Sequence, residues 1–460
     1  MMKKTASFVV LPHNATRIKD KYLVSNVLGA WDFLEPHEFR ELEGIRVEEG
    51  TALFKRLQDR GLIADESNLR NLLDAFRSRN ANLFSDTALH IAVVTTRCNL
   101  NCSYCQTRVA DPKDMSPEVA IRVLKYLFDV KSPKVSLEFQ GGEPLLNWPV
   151  VRLLIEAARK SNTVGKDLNI SLVSNILLLD EEKMKVLADN DVQLCVSLDG
   201  PQKIHDANRK DFEGRGTYTR VTEKAQQYKK KYGRQVSFLP TITNSTLPYA
   251  KELVDEYVRW QQPEICLRPV NNVGSVCSCW GDLGYNIEEF FDFYIEAMEY
   301  ILELNRRGIK IGERTARVIL SKVLFNRDPG YVDMMNPCGA GRATMAYMPD
   351  GSCYPCDEAR MLGEDMFRLG NIIDENYEDM LKKDNLLQLL HSSCSNLWYY
   401  ASAFSPWIGY CPAVNYALQK NVIPKIACSQ AQRIQELQFR YIFEKLLEGG
   451  KTIDILKSWV

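Results

Sequence analysis

Three cysteines, Cys98, Cys102 and Cys105, lie four and three residues apart in the run TRCNLNCSYC. At this spacing three thiolates can surround one small inorganic centre. A [4Fe–4S] cube takes one thiolate per iron, so three thiolates leave one iron open to a ligand that is not protein. Open metal positions are typical of catalytic sites. The alternative is a zinc site, but zinc needs a fourth ligand, and no His or Cys occurs in the thirty residues after Cys105.

The spacing resembles the signature of radical S-adenosylmethionine (SAM) enzymes, including the aromatic Tyr104 before the third cysteine. In that family the open iron binds the amino and carboxylate groups of SAM. Reductive cleavage of SAM then gives a 5′-deoxyadenosyl radical, which abstracts hydrogen from a substrate. The resemblance implies a catalytic role for Cys98, Cys102 and Cys105, a cofactor contact for Tyr104, and a [4Fe–4S] cluster and SAM as cofactors.

A glycine pair follows the second apolar run, in the sequence EFQGGEP. Gly141 and Gly142 lack a Cβ, so the backbone can approach a ligand closely. The segment resembles the family's GGE motif, whose backbone binds the amino group of SAM while the acid, here Glu143, helps to hold the loop.

Two further motifs follow the third and fourth apolar runs. Ser174 precedes Asn175 and Ile176, where many relatives have Thr-Asn-Gly, and by resemblance it contacts the ribose of SAM. The stretch SLDGP, with an arginine further on, resembles the sulfatase-maturase-like branch. That likeness assigns Ser197 and Arg209 to the SAM carboxylate, as a charge-assisted pair, with Gln140 as a further candidate. His205, between them, is predicted to be structural.

The overall composition excludes several classes of function. The 58 basic and 59 acidic residues give a formal charge of −1, which provides no electrostatic argument for nucleic acid or an anionic membrane. The first apolar run is too short for a signal peptide, and no stretch approaches the roughly 20 apolar residues of a membrane helix. Thirteen cysteines indicate metal binding or catalysis in a reducing compartment. We expect a cytoplasmic protein.

From Leu89 onward, short apolar runs alternate with amphipathic stretches, which predicts an α/β fold with a parallel sheet. The predicted strands are His90–Thr95, Val135–Gln140, Asn169–Asn175, Gln193–Leu198, Val236–Thr243 and Glu264–Val270. The predicted helices are Pro117–Phe128, Trp148–Lys160, Glu181–Asp189, Tyr218–Lys231, Pro248–Trp260, Ile287–Arg306 and Ala431–Leu447. Six units of this kind resemble the partial (β/α)₆ TIM-like barrel of radical SAM proteins. In such barrels the active site gathers at the carboxyl ends of the strands, and the cysteine loop follows the first one.

Three regions are predicted. Residues 1–85, with short strands and helical patterns at Pro36–Leu42 and Thr51–Arg60, form an N-terminal winged-helix-like module. This module either holds a precursor peptide by β-augmentation or is a packing extension without a ligand. Residues 86–306 form the radical SAM core, and residues 307–460 a C-terminal region with a final helix.

The C-terminal region contains six cysteines and resembles the SPASM/twitch extension, which binds auxiliary iron–sulfur clusters. The resemblance implies at least one auxiliary cluster. This chain departs from the family pattern, because the dense cysteine array of the family is interrupted here. The candidate ligands are Cys338, Cys356, Cys394, Cys411 and Cys428. Cys353 is the extra cysteine relative to the pattern and is predicted to be a bystander.

The remaining thiols and acids are predicted to have ordinary roles. Cys195 and Cys266 lie in apolar runs and are expected in the core. Cys277 and Cys279 are favoured as loop thiols over cluster ligands. Glu313 and Asp333 are possible catalytic carboxylates, but surface positions are favoured for both.

Several longer stretches resemble the maturase of the His-Xaa-Ser peptide system and the enzymes that cross-link darobactin-like or cyclophane peptides. This resemblance covers about residues 8–430. It implies a ribosomal precursor peptide as substrate, radical cross-linking of side chains by a C–C or ether bond as reaction, and a small flavodoxin- or ferredoxin-type protein as reductant. The alternatives are a sulfatase-maturase-like, thioether-forming or epimerising SPASM enzyme and, outside catalysis, an Fe–S electron carrier or peptide-binding scaffold.

Overall fold

The computed structural model describes residues 8–394, 401–423 and 430–460. Its centre is an eight-stranded sheet in the order β10-β9-β8-β7-β6-β13-β14-β15. The strands of the chain are β1 Val9–Val10, β2 His13–Ile18, β3 Lys21–Asn26, β4 Trp31–Leu34, β5 Ile63–Ala64, β6 Leu89–Thr95, β7 Lys134–Gly141, β8 Asp167–Ser174, β9 Val192–Ser197, β10 Ser237–Leu239, β11 Glu264–Ile265, β12 Gly312–Glu313, β13 Thr344–Tyr347, β14 Ser352–Tyr354 and β15 Gly370–Asn371.

The α-helices lie on the outer face of this sheet and in the two flanking regions. They are α1 Pro36–Glu43, α2 Ala52–Arg60, α3 Leu69–Arg79, α4 Pro117–Asp129, α5 Trp148–Ser161, α6 Glu181–Asp189, α7 Gln202–Asn208, α8 Tyr218–Tyr232, α9 Ala250–Arg259, α10 Trp280–Leu283, α11 Ile287–Arg306, α12 Arg314–Phe325, α13 Asp357–Leu362, α14 Tyr377–Met380, α15 Asp384–Cys394, α16 Pro412–Gln419, α17 Gln430–Glu448 and α18 Gly450–Lys457.

Strands β6 to β10 are parallel and form the predicted partial barrel. Local sequence fixes where its helices begin: the Ser116 side chain caps α4 and is followed by proline, and Asn286 forms a capping box with Glu289 at α11, which satisfies amide groups that a helix start leaves unpaired. The predicted helices match within two residues. The last two predicted strands are shorter than expected, and the segment after β11 meets the segment after β10 through an isolated bridge between Ile242 and Pro269.

The C-terminal region extends the barrel sheet itself. Strand β13 pairs in parallel with β6, in the register Thr344 to Leu89, and β14 and β15 continue the sheet. In addition, β12 pairs with β11 of the core. The barrel and the C-terminal region therefore share one sheet, and the boundary predicted at residue 306 divides elements that pack together.

The N-terminal module is a three-stranded antiparallel sheet, β2-β3-β4, with helices α1 and α2. Sequence reasoning missed β2, whose residues His13–Ile18 are largely polar. The module has a small apolar core of its own around Leu57 and Ile63. The Trp31 indole donates to the Val323 carbonyl at 2.8 Å and its ring packs edge-on against Phe443, so the module is joined firmly to α12 and α17.

Among the described residues, the helices that are long enough to cross a membrane are all too polar to do so.

Candidate active site

A cavity of about 400 Å³ opens at the carboxyl ends of the barrel strands. Most of the predicted cofactor-binding residues line it, namely Cys98, Cys102, Tyr104, Cys105, Gln140, Gly141, Gly142, Ser174, Ser197 and Arg209. Four separate sequence motifs therefore meet at one site. They do so because parallel strands present their carboxyl ends at the same edge.

The cysteine loop forms one end of the cavity, directly after β6. Burial raises the pKa of Cys98 to about 12 and that of Cys102 to about 11, so these thiols need a bound cation to ionise. Among the described residues, no three His, Cys, Asp or Glu side chains are close enough to hold a single metal ion. A cluster binds each thiolate at a different iron, so the donor set fits a cluster better than zinc.

The two glycines are required by the cysteine loop itself. A Cβ on Gly141 would lie 2.2 Å from the Thr95 carbonyl oxygen, and one on Gly142 would lie 2.3 Å from that of Arg97. The Gly142 amide donates to Thr95 at 3.0 Å, and the Glu143 amide donates to Arg97 at 2.8 Å. Close backbone packing between the two loops therefore shapes the site, before any ligand is considered.

Glu143 fastens this loop to the end of β8. Its fully buried carboxylate accepts hydrogen bonds from the Ser174 hydroxyl at 2.7 Å and from the amides of Leu145 and Asn175 at 3.0 and 2.8 Å. The Ser174 hydroxyl also accepts from the Ile176 amide at 2.9 Å. Ser174 lines the cavity, but its hydroxyl is used in the hydrogen bonds that join Glu143 to the end of β8.

Ile176 occupies the position where many relatives have glycine. Its φ is +53°, in the left-handed region that is unfavourable for a β-branched residue. The loop therefore keeps the conformation expected of glycine, and the buried Ile176 side chain packs in the main core. The sequence did not determine the conformation of this loop. The structure shows the glycine-like conformation, with backbone strain at Ile176.

Ser197 and Arg209 lie at the cavity with an unpredicted partner, Asp199. The fully buried Asp199 carboxylate accepts from Arg209 Nε at 3.0 Å, from the Tyr104 hydroxyl at 2.7 Å and from the Thr241 amide at 3.1 Å. The Arg209 guanidinium also lies 5.1 Å from the Tyr104 ring centre. Asp199 thus fixes Arg209 through Nε, and the Arg209 side chain lines the cavity.

His205 is structural, as predicted. It is fully buried, hydrogen-bonded to the Thr217 hydroxyl at 2.9 Å, and burial lowers its pKa to about 4.

Gln140 is held between two charged side chains. Arg360 Nη2 donates to Gln140 Oε1 at 2.7 Å, and Gln140 Nε2 donates to Glu138 at 2.7 Å. These bonds orient Gln140 towards the C-terminal region, with one amide hydrogen left for a ligand.

A second group of thiols lies behind the first cavity. Cys338, Cys356 and Cys411 line one small space, and Asp333 and Glu358 form the wall it shares with the large cavity. The space measures about 20 Å³, so a cluster fits only if the thiol side chains turn outward. The Cys356 and Cys411 sulfurs accept from the amides of Ala359 and Val414 at helix starts, but burial still raises the pKa of both thiols well above its ordinary value. A bound metal would favour the thiolates there.

The other C-terminal thiols lie at different distances from this space. Cys394 is near enough to Cys338 that its charge would raise the Cys338 pKa. Cys353 lies in β14, fully buried and away from the thiol cavity, consistent with a bystander. Cys428 lies outside the described residues.

Three of the positions predicted for the remaining thiols and acids need correction, namely those of Cys195, Glu313 and Asp333. Cys195 lines the large cavity, because its side chain faces inward from β9, although Cys266 is buried as expected. Glu313 is fully buried, and its carboxylate accepts from the Ala316 and Leu267 amides. Its neighbours in sequence give no sign of that burial. Asp333 also lies on the cavity wall.

Cys277 and Cys279 lie in the loop beside the cysteine motif. The Cys277 thiol is exposed. The adjoining Ser275 hydroxyl donates to the Cys105 carbonyl, and Gln106 Nε2 donates to the Asn271 carbonyl at 2.9 Å. The loop therefore braces the first cluster site from outside.

Sequence reasoning missed a group of charged residues on the far side of the cavity. Arg268 lies 3.4 Å from Asp333 and 3.7 Å from Glu358. Burial, with Asp333 close by, raises the pKa of Glu358 to about 8. These residues come from three separate segments of the chain, so their spacing in the sequence did not indicate that they would meet. Glu138 could have been found, because it shares a strand face with Gln140 two residues on.

Comparisons with known proteins agree with this site. Residues 92–256 match the family model described as the Radical SAM superfamily. The chain is 27% identical over 320 residues to a cysteine-type anaerobic sulfatase-maturating enzyme of Clostridium perfringens, covering 66% of this chain and 83% of that one. It is 21% identical over 365 residues to the radical SAM cyclopropyl synthase TigE of Paramaledivibacter caminithermalis, covering 74% and 70%.

Two solved structures have the same fold. Native anSMEcpe with bound AdoMet and Kp18Cys peptide superimposes with a TM-score of 0.69 at 21% identity, covering 81% of this chain and 99% of that one. Streptococcus suis SuiB bound to precursor peptide SuiA gives 0.55 at 15% identity, covering 90% and 98%.

Residues 92–256 are a radical SAM domain. The protein is an enzyme whose cofactors are a [4Fe–4S] cluster and SAM. The donor set fits both, because Cys98, Cys102 and Cys105 line the same cavity as Ser197 and Arg209.

Proposed function

We propose that this enzyme modifies a ribosomally made precursor peptide, with side-chain cross-linking by a C–C or ether bond as its reaction. The observation that carries the proposal is the shape of the large cavity. It continues past the cofactor-binding residues to a wall formed by Tyr331, Asp333 and Arg360 of the C-terminal region. Relatives named for peptide or protein maturation support it.

The chain's own residues bind and orient the reactants. Cys98, Cys102 and Cys105 would hold the cluster, the backbone of Gly141 and Gly142 would bind the amino group of SAM, and Ser197 with Arg209 would bind its carboxylate. The chemistry that the bound cluster and SAM would supply is hydrogen abstraction from the peptide. Tyr104 acts through Asp199 to keep Arg209 in position.

An auxiliary cluster at the C-terminal thiols is part of the proposal. Cys338, Cys356 and Cys411 line one space, and Cys394 lies beside Cys338. Four thiols suffice for one ordinary cube. The space shares the Asp333 and Glu358 wall with the SAM cavity, so a cluster held there would lie next to the substrate and could accept an electron from it.

The N-terminal module is proposed to hold the leader of the precursor. A groove of about 620 Å³ runs between the β3–β4 turn, helix α3 and the end of α12. Strand β4 borders this groove and pairs only with β3 among the described strands, so it can accept an added strand. The opposite edge, β2, is partly covered, because Arg440 donates to the Arg17 carbonyl at 3.0 Å.

The reductant is proposed to be a small flavodoxin- or ferredoxin-type protein that docks at the cysteine loop. Asn101 and Ser103, on either side of Cys102, are exposed, so the cluster site lies close to the surface. The thirteen cysteines suit a reducing compartment, and we place the enzyme in the cytoplasm.

Coexpression with a short peptide encoded beside the gene, followed by tandem mass spectrometry, tests the proposal. Loss of two hydrogens, with fragments missing between two residues, is expected. An unchanged mass with inverted stereochemistry would assign the enzyme to epimerisation instead. Absence of 5′-deoxyadenosine after reconstitution and reduction would contradict catalysis and favour an electron carrier or scaffold.

A further inference from the structure

The wall of the large cavity facing away from the cysteine loop carries four carboxylates, and three of them have an arginine partner. Arg268 serves both Asp333 and Glu358, and Arg360 Nε bonds to Asp357 at 2.7 Å. Arg314, which also lines the cavity, is paired with Glu264 at 2.8 Å. The fourth carboxylate, Glu138, has no ion pair among the described residues.

The hydrogen bonds of Glu138 show that its neighbours are arranged for an ionised carboxylate. An arginine can only donate, so the Arg360 bond fixes the oxygen of the Gln140 amide and turns its N–H towards Glu138. The Ser171 hydroxyl donates to the other oxygen of Glu138 at 3.1 Å. Both neighbours treat Glu138 as an acceptor, yet both are neutral. An ionised Glu138 therefore has no salt-bridge partner among the described residues, because Arg268, the nearby cation, pairs with Asp333 and Glu358 instead.

The position of Glu138 suits contact with a substrate. It lies three residues before Gly141 on β7, about 10 Å down the strand from the glycine loop. A side chain that enters past SAM would therefore place its far end near Glu138 and its β-carbon nearer the cofactor. Cys195 and Leu239 also line the cavity.

We infer that Glu138 binds the ammonium or guanidinium of a basic residue in the peptide, and that the enzyme acts on or beside that residue. This inference rests on the proposed function. Glu138 is half-buried in the cavity wall. A carboxylate that is partly removed from water without a salt bridge is destabilised, and this desolvation raises the pKa of Glu138. A cation from the substrate compensates for that desolvation and places the peptide in register.

The test uses the full-length enzyme with its clusters reconstituted and SAM bound. The probes are three acetylated, amidated tripeptides, Gly-X-Gly, in which X is lysine, norleucine or glutamate. Binding is measured by calorimetry on the unreduced enzyme, and hydrogen abstraction by deuterium transfer from side-chain-deuterated X into 5′-deoxyadenosine after reduction. The variant is Glu138→Gln, which keeps the shape. The control Glu182→Gln removes an exposed carboxylate on α6.

A preference for the lysine peptide over norleucine of about 30-fold or more is expected in binding, the loss seen when a buried charge partner is removed. Glu138→Gln should abolish that preference while iron content and SAM binding stay unchanged, and Glu182→Gln should retain it. Equal binding of lysine and norleucine, or a lysine preference that persists in Glu138→Gln, overturns the inference. Because calorimetry needs no SAM cleavage, failure of the proposed function would appear separately, as absent 5′-deoxyadenosine.

Discussion

The two thiol sites of this enzyme are built in opposite ways. Cys98, Cys102 and Cys105 come from one loop, whose shape is held by backbone contacts with Gly141 and Gly142. Cys338, Cys356 and Cys411 come from three separate segments that meet only when the C-terminal region folds.

The difference teaches where each site is sensitive. The first site depends on the close packing of two loops, so it should tolerate little change in backbone volume. The second depends on long-range contacts such as the Ser393 hydroxyl beside the Cys338 amide, 3.2 Å away. Damage to one site should therefore leave the other intact.

The largest effect is expected from replacing Cys98, Cys102 and Cys105 together with alanine. SAM cleavage should be lost, because no thiolate remains to hold the catalytic cluster, while iron at the C-terminal thiols should remain. Iron analysis and chromatography of 5′-deoxyadenosine measure both. Cys353→Ala, which removes a thiol outside either site, should keep both readouts. Iron falling to zero in the triple variant would mean that the C-terminal thiols hold no cluster.

Gly142→Ala should nearly abolish the first site without removing a thiol. Its Cβ would lie 2.3 Å from the Arg97 carbonyl and 3.0 Å from Cys98 Cβ, an overpacking that costs about 3 kcal/mol or more. Iron at the first site and SAM cleavage should both fall. Gly281→Ala, where a Cβ has nothing within 4 Å, is the matched control. Normal SAM cleavage in Gly142→Ala would show that the loops can separate.

Replacing Cys356 and Cys411 with alanine should give the mirror image of the triple variant. We expect SAM cleavage to continue, uncoupled from product, since the SAM-binding residues lie elsewhere. Iron content should fall to that of one cluster, as measured by iron analysis and Mössbauer spectroscopy. A variant that keeps its full iron content would disprove the proposed ligands.

Asp199→Asn should weaken SAM binding in a graded way. The substitution removes the charge that fixes Arg209, worth about 1.5–3 kcal/mol, so KM for SAM should rise about 10- to 150-fold with kcat little changed. Asp180→Asn, an isosteric change at a remote helix cap, should leave KM unaltered. A fall in kcat at constant KM would count against a positioning role.

Tyr104→Phe should have the smallest effect of this series. The ring over Arg209 stays, and only the hydroxyl that bonds to Asp199 is lost. A neutral partner contributes about 1 kcal/mol, so KM for SAM should rise only a few-fold. An effect as large as that of Asp199→Asn would give Tyr104 a direct contact with the cofactor.

Much of the barrel could be predicted from sequence, because hydrophobic periodicity and helix-capping residues are local properties of the chain. Helix α11 was predicted with both of its ends, and the four motifs were placed correctly at strand ends. The polar strand β2 was missed, since its residues are only half-buried and show no apolar alternation. Pairing of β13 with β6 was also missed, because about 250 residues separate them and no local signal encodes such a contact.

The sequence by itself determined the chemistry of the first site. Three thiols within eight residues share one loop whatever the rest of the chain does. Only the tertiary structure decided that Asp199 holds Arg209, that Glu138 has no salt bridge among the described residues, and that Cys338, Cys356 and Cys411 share one space. The physical reason is that such interactions depend on which segments the fold brings together. The spacing of residues along the chain does not record how close they lie in space.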